Sequence, residues 1–203
     1  MIFGRALLLA APFLLVACSA TDPRCAALPD VGTYCLQATT AVAPFAARQK
    51  VEVSFDARRE TMIVQIEVDS EKMRFAGLTP FGLTLIEADY DNRAPRAEKM
   101  PADGFDAAAL FSLLQIALWP LDAVRAGFTT APVEVNDAYG VRSIFAEGEE
   151  AFRVRRVGDA PPFDEIEINY PSLRAALRIR TLDSDDRGQN GLSGIRNQMT
   201  GIR

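Results

Sequence analysis

Apolar and polar residues alternate along most of the chain from residue 51 onward. Val51, Val53 and Phe55 stand between polar neighbours, and the same alternation runs through residues 62–68. Further runs follow at residues 73–75, 83–87, 139–146, 151–157, 166–170 and 173–181. A period of two is typical of strands that bury one face and expose the other. The pattern therefore predicts seven or eight antiparallel strands. Polar hairpin turns are expected at Arg58-Arg59 and at residues 69–71.

The pattern changes between residues 106 and 127. Residues 107–119 are apolar on all sides apart from Ser112 and Gln115, and Asp106 precedes them as a plausible N-cap. A helix of this composition must be covered on several sides. It is too short for the roughly twenty residues that span a bilayer. Pro120 ends it and opens a second short helix, which stops before Gly127.

The N-terminus has the pattern of an export signal. Arg5 precedes an unbroken apolar run over residues 6–17, which is too short to span a membrane. The run ends Leu-Leu-Val-Ala-Cys at residues 14–18, which resembles the lipobox of bacterial lipoproteins. That resemblance implies cleavage before Cys18 and lipidation of its thiol. With Ser19 following the cysteine, it also implies attachment to the periplasmic face of the outer membrane. The alternative is an ordinary secretory signal with an incidental cysteine.

Two further cysteines follow at positions 25 and 35. In an oxidising compartment, a pair at this spacing predicts a disulfide. Closing so short a loop stabilises a protein by about 2–3 kcal/mol. Two free thiols are the alternative. A metal site is not expected, because the chain has no histidine and no third thiol nearby.

Composition argues against nucleic-acid binding and against catalysis. The formal net charge is −5 and the basic residues are scattered. Without histidine, no Ser-His-Asp or Cys-His arrangement is available. Carboxylates cluster at residues 147–150 and 164–167, but in turns or on the polar faces of predicted strands, where solvated surface is the expected interpretation. The sequence predicts no enzymatic activity and no cofactor.

The order of elements over residues 49–182 resembles the LolA/LolB-like fold. Its most telling stretch is residues 75–85, Phe-Ala-Gly-Leu-Thr-Pro-Phe-Gly-Leu-Thr-Leu, where Phe81 before Gly82 matches the protruding apolar residue of LolB-type hairpins. The pair Cys25/Cys35 is closer to uncharacterised periplasmic lipoproteins thought to share this fold. The resemblance implies a mainly β protein of the α+β class. Its curved antiparallel sheet would form an open half-barrel capped by two or three short apolar helices.

Four segments are therefore expected. They are a signal peptide over residues 1–17, a lipid-anchored tether over 18–48, the half-barrel over 49–182 and a disordered tail over 183–203.

The resemblance also implies a function in lipid or lipoprotein transfer, with a lipid-like or acylated cargo, the membrane and a LolA-like periplasmic carrier as partners. Leu78 and Phe81 are the expected contacts with membrane or cargo, although Phe81 could instead be buried at a strand end. The groove that holds the cargo is expected to be lined by Val53, Phe55, Val64, Ile66, Leu85, Leu110, Phe111, Leu114 and Trp119. The alternative is a structural or interaction lipoprotein whose half-barrel is filled by its own helix and has no ligand.

Overall fold

The computed structural model describes residues 22–55, 58–100, 106–130 and 132–186. The signal peptide, Cys18 and the tail from residue 187 onward lie outside the described residues. The strands are β1 (Cys25–Leu28), β2 (Gly32–Cys35), β3 (Phe45–Phe55), β4 (Arg58–Val68), β5 (Met73–Leu78), β6 (Thr84–Tyr90), β7 (Pro95–Lys99), β8 (Val133–Ala138), β9 (Val141–Ala146), β10 (Glu149–Val157), β11 (Glu165–Tyr170) and β12 (Ala175–Asp186). The helices are α1 (Ala107–Leu118) and α2 (Leu121–Gly127), with single 3-10 turns at Thr39–Ala41 and Pro171–Leu173.

Ten of the strands form one open, curved antiparallel sheet. Their order across the sheet is β7-β6-β5-β4-β3-β12-β11-β10-β9-β8, and β1 and β2 form a separate hairpin. Helix α1 packs against β1, β6 and β7, and α2 packs against β8. The predicted class, mainly antiparallel β with helices, is confirmed.

Several strands were not predicted, for reasons that the structure makes plain. Strand β7 has no buried residue and is rich in charge, which is typical of a protected sheet edge. Strands β1 and β2 have four residues each, too few to show an alternation. Strand β3 begins at Phe45 and β12 runs to Asp186, so the sheet extends beyond both ends of the expected domain.

Several local predictions are wrong by one or two residues. The strands expected from residues 139 and 173 begin at Val141 and Ala175, because turns precede them. Arg58 and Arg59 belong to β4, so they are not a turn. In β6 the buried side chains are Ile86, Ala88 and Tyr90, and Leu83 lies outside the strand. The pairing of β5 with β6 shifts between Gly77 and Leu78, which moves the apolar face by one residue relative to the alternation of Leu83 and Leu85.

The apolar helix α1 begins as predicted. The side chain of Asp106 accepts a hydrogen bond from the backbone N–H of Ala109 at 2.7 Å, and the helix ends at Leu118 with Trp119 as its C-cap. Gln115 is fully buried, and its side chain forms two hydrogen bonds with one backbone position. Its Oε1 accepts from the N–H of Gln37 at 2.7 Å, and its Nε2 donates to the carbonyl of Gln37 at 2.9 Å. The polar interruption of the apolar helix therefore fastens it to the segment between β2 and β3.

Beside Gln115, two aromatic side chains strengthen the same contact. The indole N–H of Trp119 donates to the carbonyl of Ala38 at 3.0 Å. The hydroxyl of Tyr90 donates to the carbonyl of Leu36 at 3.3 Å. Trp119 and a side chain of β6 in this way satisfy backbone carbonyls, between β2 and β3, that no strand pairs.

The hairpin β1–β2 is built into the core, because Tyr34 and Leu36 are buried. A disulfide joins Cys25 to its register partner Cys35. The ring of Tyr34 stacks edge-on against Phe128 and lies so close to Gly127 that a β-carbon there would meet it at 2.3 Å. From Cys25 onward, the expected tether is therefore folded onto the domain.

A buried charged cluster ties α1 to the other half of the sheet. Arg142 of β9 is almost fully buried, donates to the carbonyl of Ile116 at 2.5 Å, and pairs with Asp137. Asp137 also pairs with Arg156. Burial alone would raise the pKa of Asp137, but hydrogen bonds from Arg142 and Arg156 outweigh it and lower that pKa. A free carbonyl in the last turn of α1 is thus satisfied by a cation, which also suits the helix dipole.

We predict that Gln115→Ala destabilises the protein by about 2 kcal/mol, because it leaves two partly buried backbone groups of Gln37 without partners. Gln37→Ala is the matched control. It removes only the bond from Nε2 of Gln37 to the carbonyl of Cys35 and should cost about 1 kcal/mol or less. Urea denaturation of both variants measures the difference. Equal losses would contradict a central role for Gln115.

Asp137 should also contribute a pH-dependent part of the stability. Its lowered pKa means that the contribution is present above the unfolded value of about 3.9 and is lost as the pH falls through the folded value. Asp137→Asn should therefore be less stable than the parent at pH 7, with a smaller difference at pH 3. Asp159→Asn, in an exposed loop, should change stability little at either pH. A difference for Asp137→Asn that does not shrink in acid would contradict this.

Candidate functional site

One end of the sheet carries exposed apolar side chains. At this end, which we call the rim end, β3 and β5 finish and β4, β6 and β12 begin. Phe81 is 99% exposed, Leu83 63% and Phe55 51%. We call these three residues the apolar rim. Large apolar side chains in such a group are costly in water and typically mark an interaction site.

The apolar rim continues into the core along one face of the sheet. On β3, Val51 is buried, Val53 is half-buried and Phe55 is half exposed. The exposure of the side chains increases toward the rim in the same way on the paired strand β12. Ile179, opposite Val51, is buried, and Leu177, opposite Val53, is half-buried. The concave apolar face is therefore sealed at the opposite end and accessible at the rim end.

The turn between β5 and β6 holds Phe81 out in solvent. The N–H of Gly82 donates to the carbonyl of Thr79 at 2.9 Å, and the N–H of Leu83 donates to the Thr79 hydroxyl at 3.0 Å. Gly82 has a φ of +84°, which a glycine adopts without strain. The sequence Pro-Phe-Gly predicted this exposed turn. Leu83 was missed because the alternation counted it as part of a strand.

The predicted groove residues do not all line an open groove. Val64, Ile66, Leu110, Phe111 and Trp119 are buried, and Val53, Leu85 and Leu114 are half-buried. Phe111 and Trp119 are closed off completely, with Phe111 stacked near Tyr90 at 6.2 Å between ring centroids. The prediction that Phe55 lines the groove is corrected, because its side chain lies at the exposed edge of the apolar face. Of the two expected contact residues, Phe81 protrudes, whereas Leu78 is half-buried at the end of β5.

A second concave feature lies beside the hairpin tip. A cleft of about 890 Å³ is bounded by β1–β2, by the turn between β9 and β10, and by the 3-10 turn at Pro171–Leu173. Its lining combines apolar Val31 and Val133 with carboxylates of Asp30, Glu147 and Glu149. These glutamates were interpreted as solvated surface, and the alternation gave no signal that the hairpin tip would stand opposite them.

The convex face of the sheet carries ion pairs between neighbouring strands. Arg155 of β10 contacts Glu167 of β11 at 2.8 Å, and Arg178 of β12 contacts Glu165 at 3.0 Å. These side chains are partly or largely exposed, so each pair stabilises the protein by about 0–1 kcal/mol. Arg155 and Glu167 contribute, with Arg153 and Arg178, to a shallow groove of about 480 Å³.

In the parts of the chain that the structure describes, none of the helices is both long and apolar enough to cross a bilayer. Among the same residues, the side chains of Asp, Glu and Cys do not gather into groups of three or more that could hold a metal ion.

Residues 46–183 match the family described as "Protein of unknown function (DUF3261)". The chain belongs to this family. The match takes in the whole ten-stranded sheet except the ends of β3 and β12, together with both helices, and leaves the disulfide hairpin outside. No curated protein matches the chain in sequence.

Among solved structures, the chain is similar to a domain from Vibrio parahaemolyticus described as an outer membrane lipoprotein-sorting protein domain. The identity is 9% and the TM-score 0.43, over 78% of this chain and 91% of that one.

Because Phe81 lies outside the core, Phe81→Glu should change the free energy of unfolding by no more than about 0.5 kcal/mol. Phe111→Ala, a truncation of a fully buried ring, should cost about 3–5 kcal/mol. Denaturant midpoints of both variants make the comparison. A loss of several kcal/mol for Phe81→Glu would place the ring in the core.

Proposed function

We propose that this protein is a lipid-anchored protein of the cell envelope that binds the acyl chain of a lipid-like or acylated cargo at its apolar rim. The observation that supports this most directly is the exposure of Phe81, Leu83 and Phe55 at the end where the concave apolar face is accessible. The turn that carries Phe81 is closed by hydrogen bonds from Gly82 and Leu83 to Thr79, and it presents the ring to solvent.

The chemistry of the rim suits an acyl chain. Removing apolar surface from water contributes about 25 cal/mol per Å², or about 0.8 kcal/mol for each buried methylene. The rim and the half-buried Val53 and Leu177 behind it offer apolar surface without a demand for directed hydrogen bonds. Arg58, the register partner of Phe55, is exposed next to it. A guanidinium group in this position can pair with a phosphate or carboxylate at the polar end of a lipid.

The anchor and the compartment rest on the N-terminal sequence. The resemblance of residues 14–18 to a lipobox supports acylation of Cys18, and two or more chains are needed for stable attachment. Ser19 favours the outer membrane by the same resemblance. With such an anchor, the protein would assist the transfer of a lipoprotein or glycolipid and would work with a LolA-like periplasmic carrier.

A filled interior favours a second function. Phe111, Ile116 and Trp119 of α1 are fully buried, and the hairpin β1–β2 occupies the space beside that helix. If no cargo enters, the rim would instead be the docking surface of a structural or interaction lipoprotein. The two functions differ in whether the purified protein binds an acyl chain.

We predict that the mature chain, produced without residues 1–18, binds a fluorescent fatty acid, and that Phe81→Glu weakens this binding by at least tenfold. Tyr139→Glu is the matched control, because Tyr139 is an equally exposed aromatic residue at the opposite end of the sheet. It should leave the affinity unchanged. Native mass spectrometry of the purified protein checks in addition for bound lipid. Absence of binding, or equal effects of the two variants, would favour the structural alternative.

A further inference from the structure

The disulfide hairpin determines where the N-terminal segment leaves the domain. Asp22, the first described residue, accepts a hydrogen bond from the N–H of Cys25 at 3.0 Å, and its side chain pairs with Arg24 at 2.7 Å. The carbonyl of Arg24 in turn accepts from the N–H of Leu36 at 2.9 Å. The carbonyl of Leu36 accepts from the hydroxyl of Tyr90, which is the last residue of β6. Asp22 is therefore held at the end of the sheet opposite the apolar rim.

Neighbouring contacts fix the same end. The N–H of Thr39 donates to Oδ1 of Asn92 at 2.7 Å, and Nδ2 of Asn92 donates to the carbonyl of Glu71 at 2.8 Å. Asn92 lies between β6 and β7, and Glu71 lies between β4 and β5. The connection from β2 to β3 is thus fastened to the two turns that close the sheet opposite the rim.

The distance between the two ends exceeds the reach of the anchor. The eleven residues of β3, from Phe45 to Phe55, extend over about 34 Å. The four peptide units from Cys18 to Asp22 reach at most about 14 Å. Even if the chain were released as far as the disulfide, the seven units from Cys18 to Cys25 would reach at most about 25 Å.

We propose that the apolar rim points away from the bilayer that holds the anchor, and that its occupant is the acyl chain of an acylated protein that arrives from the aqueous side. This rests on the proposed function, since it requires the lipid at Cys18 and an acyl ligand at the rim. The short N-terminal connection and the disulfide hairpin then exclude the anchoring bilayer as the partner of Phe81 in an upright domain.

A domain lying on its side would also keep the rim from inserting. The convex face would then present the ion pairs of Arg155 with Glu167 and of Arg178 with Glu165 to the headgroups. The β7 edge would present Arg96, Glu98 and Lys99, which are all exposed. The exposed large apolar side chains of β10 and β12 are Val157 and Leu182. Both lie toward the end of the sheet opposite the rim, so they would not hold the rim at the bilayer.

The test uses the full lipidated protein in liposomes that contain a headgroup-labelled energy acceptor. An apolar fluorescent amino acid replaces either Phe81 or Ser70, which is an exposed residue in the turn between β4 and β5 at the opposite end. We expect energy transfer from position 70 to be at least twice that from position 81. Equal transfer, or stronger transfer from position 81, would overturn the inferred orientation.

The second arm identifies the source of the occupant. A water-soluble palmitoylated peptide that carries a quencher is added to the same liposomes. Quenching confined to position 81 supports an acyl chain delivered from the aqueous side. Quenching at position 70 alone would show that the peptide had entered the bilayer and would overturn delivery to the rim.

If the soluble mature chain binds no fatty acid, the proposed function fails even when energy transfer places the rim away from the membrane. If the fatty acid binds but position 81 lies at the bilayer, only the orientation fails.

Discussion

The two hydrogen bonds between the side chain of Gln115 and the backbone of Gln37 are the contact on which the arrangement of the domain depends. An apolar helix on a curved sheet has many nearly equivalent packings, because dispersion and burial are not directional. A buried side-chain amide must have hydrogen-bond partners for both its N–H and its carbonyl oxygen, so it is compatible with only one of these packings. Gln115 therefore determines how far α1 slides along the sheet and which backbone segment covers it.

Once α1 is fixed in this way, the opening of the apolar face follows. Hydrogen bonds to Gln37 and Ala38 hold the C-terminal half of the helix at one end of the sheet. From the other side, Arg142 donates a hydrogen bond to a free carbonyl in the last turn of the helix. Filling that end leaves the apolar face accessible at the other end. There the sheet continues past the packed interior and ends in Phe55 and the turn of Phe81. The same contact fastens the N-terminal segment opposite the rim, so one interaction sets both the site and the direction of the anchor.

Much of this could be predicted from local patterns, and the rest could not. Alternation located the long strands, and Asp106 and Pro120 marked the helix boundaries, because these signals depend on nearest neighbours. The exposed turn at Phe81 followed from Pro80 and Gly82. The partner of Gln115 was out of reach, since it is a backbone group 78 residues away in sequence. The prediction of which side chains β6 buries was wrong for a related reason, because the alternation of Leu83 and Leu85 gives no sign of a bulge.

The family match separates Gln115 from its hydrogen-bond partner. The matched residues 46–183 include Gln115, whereas its partner Gln37 lies before them. A glutamine with no solvent exposure in an otherwise apolar helix would be strongly destabilising if both of its polar atoms lost their partners. The sheet and helices of this chain are therefore energetically incomplete without the segment that precedes them. The disulfide hairpin is consequently a structural part of the domain, and the position of its disulfide end opposite Phe81 is as much a property of the fold as the apolar rim itself.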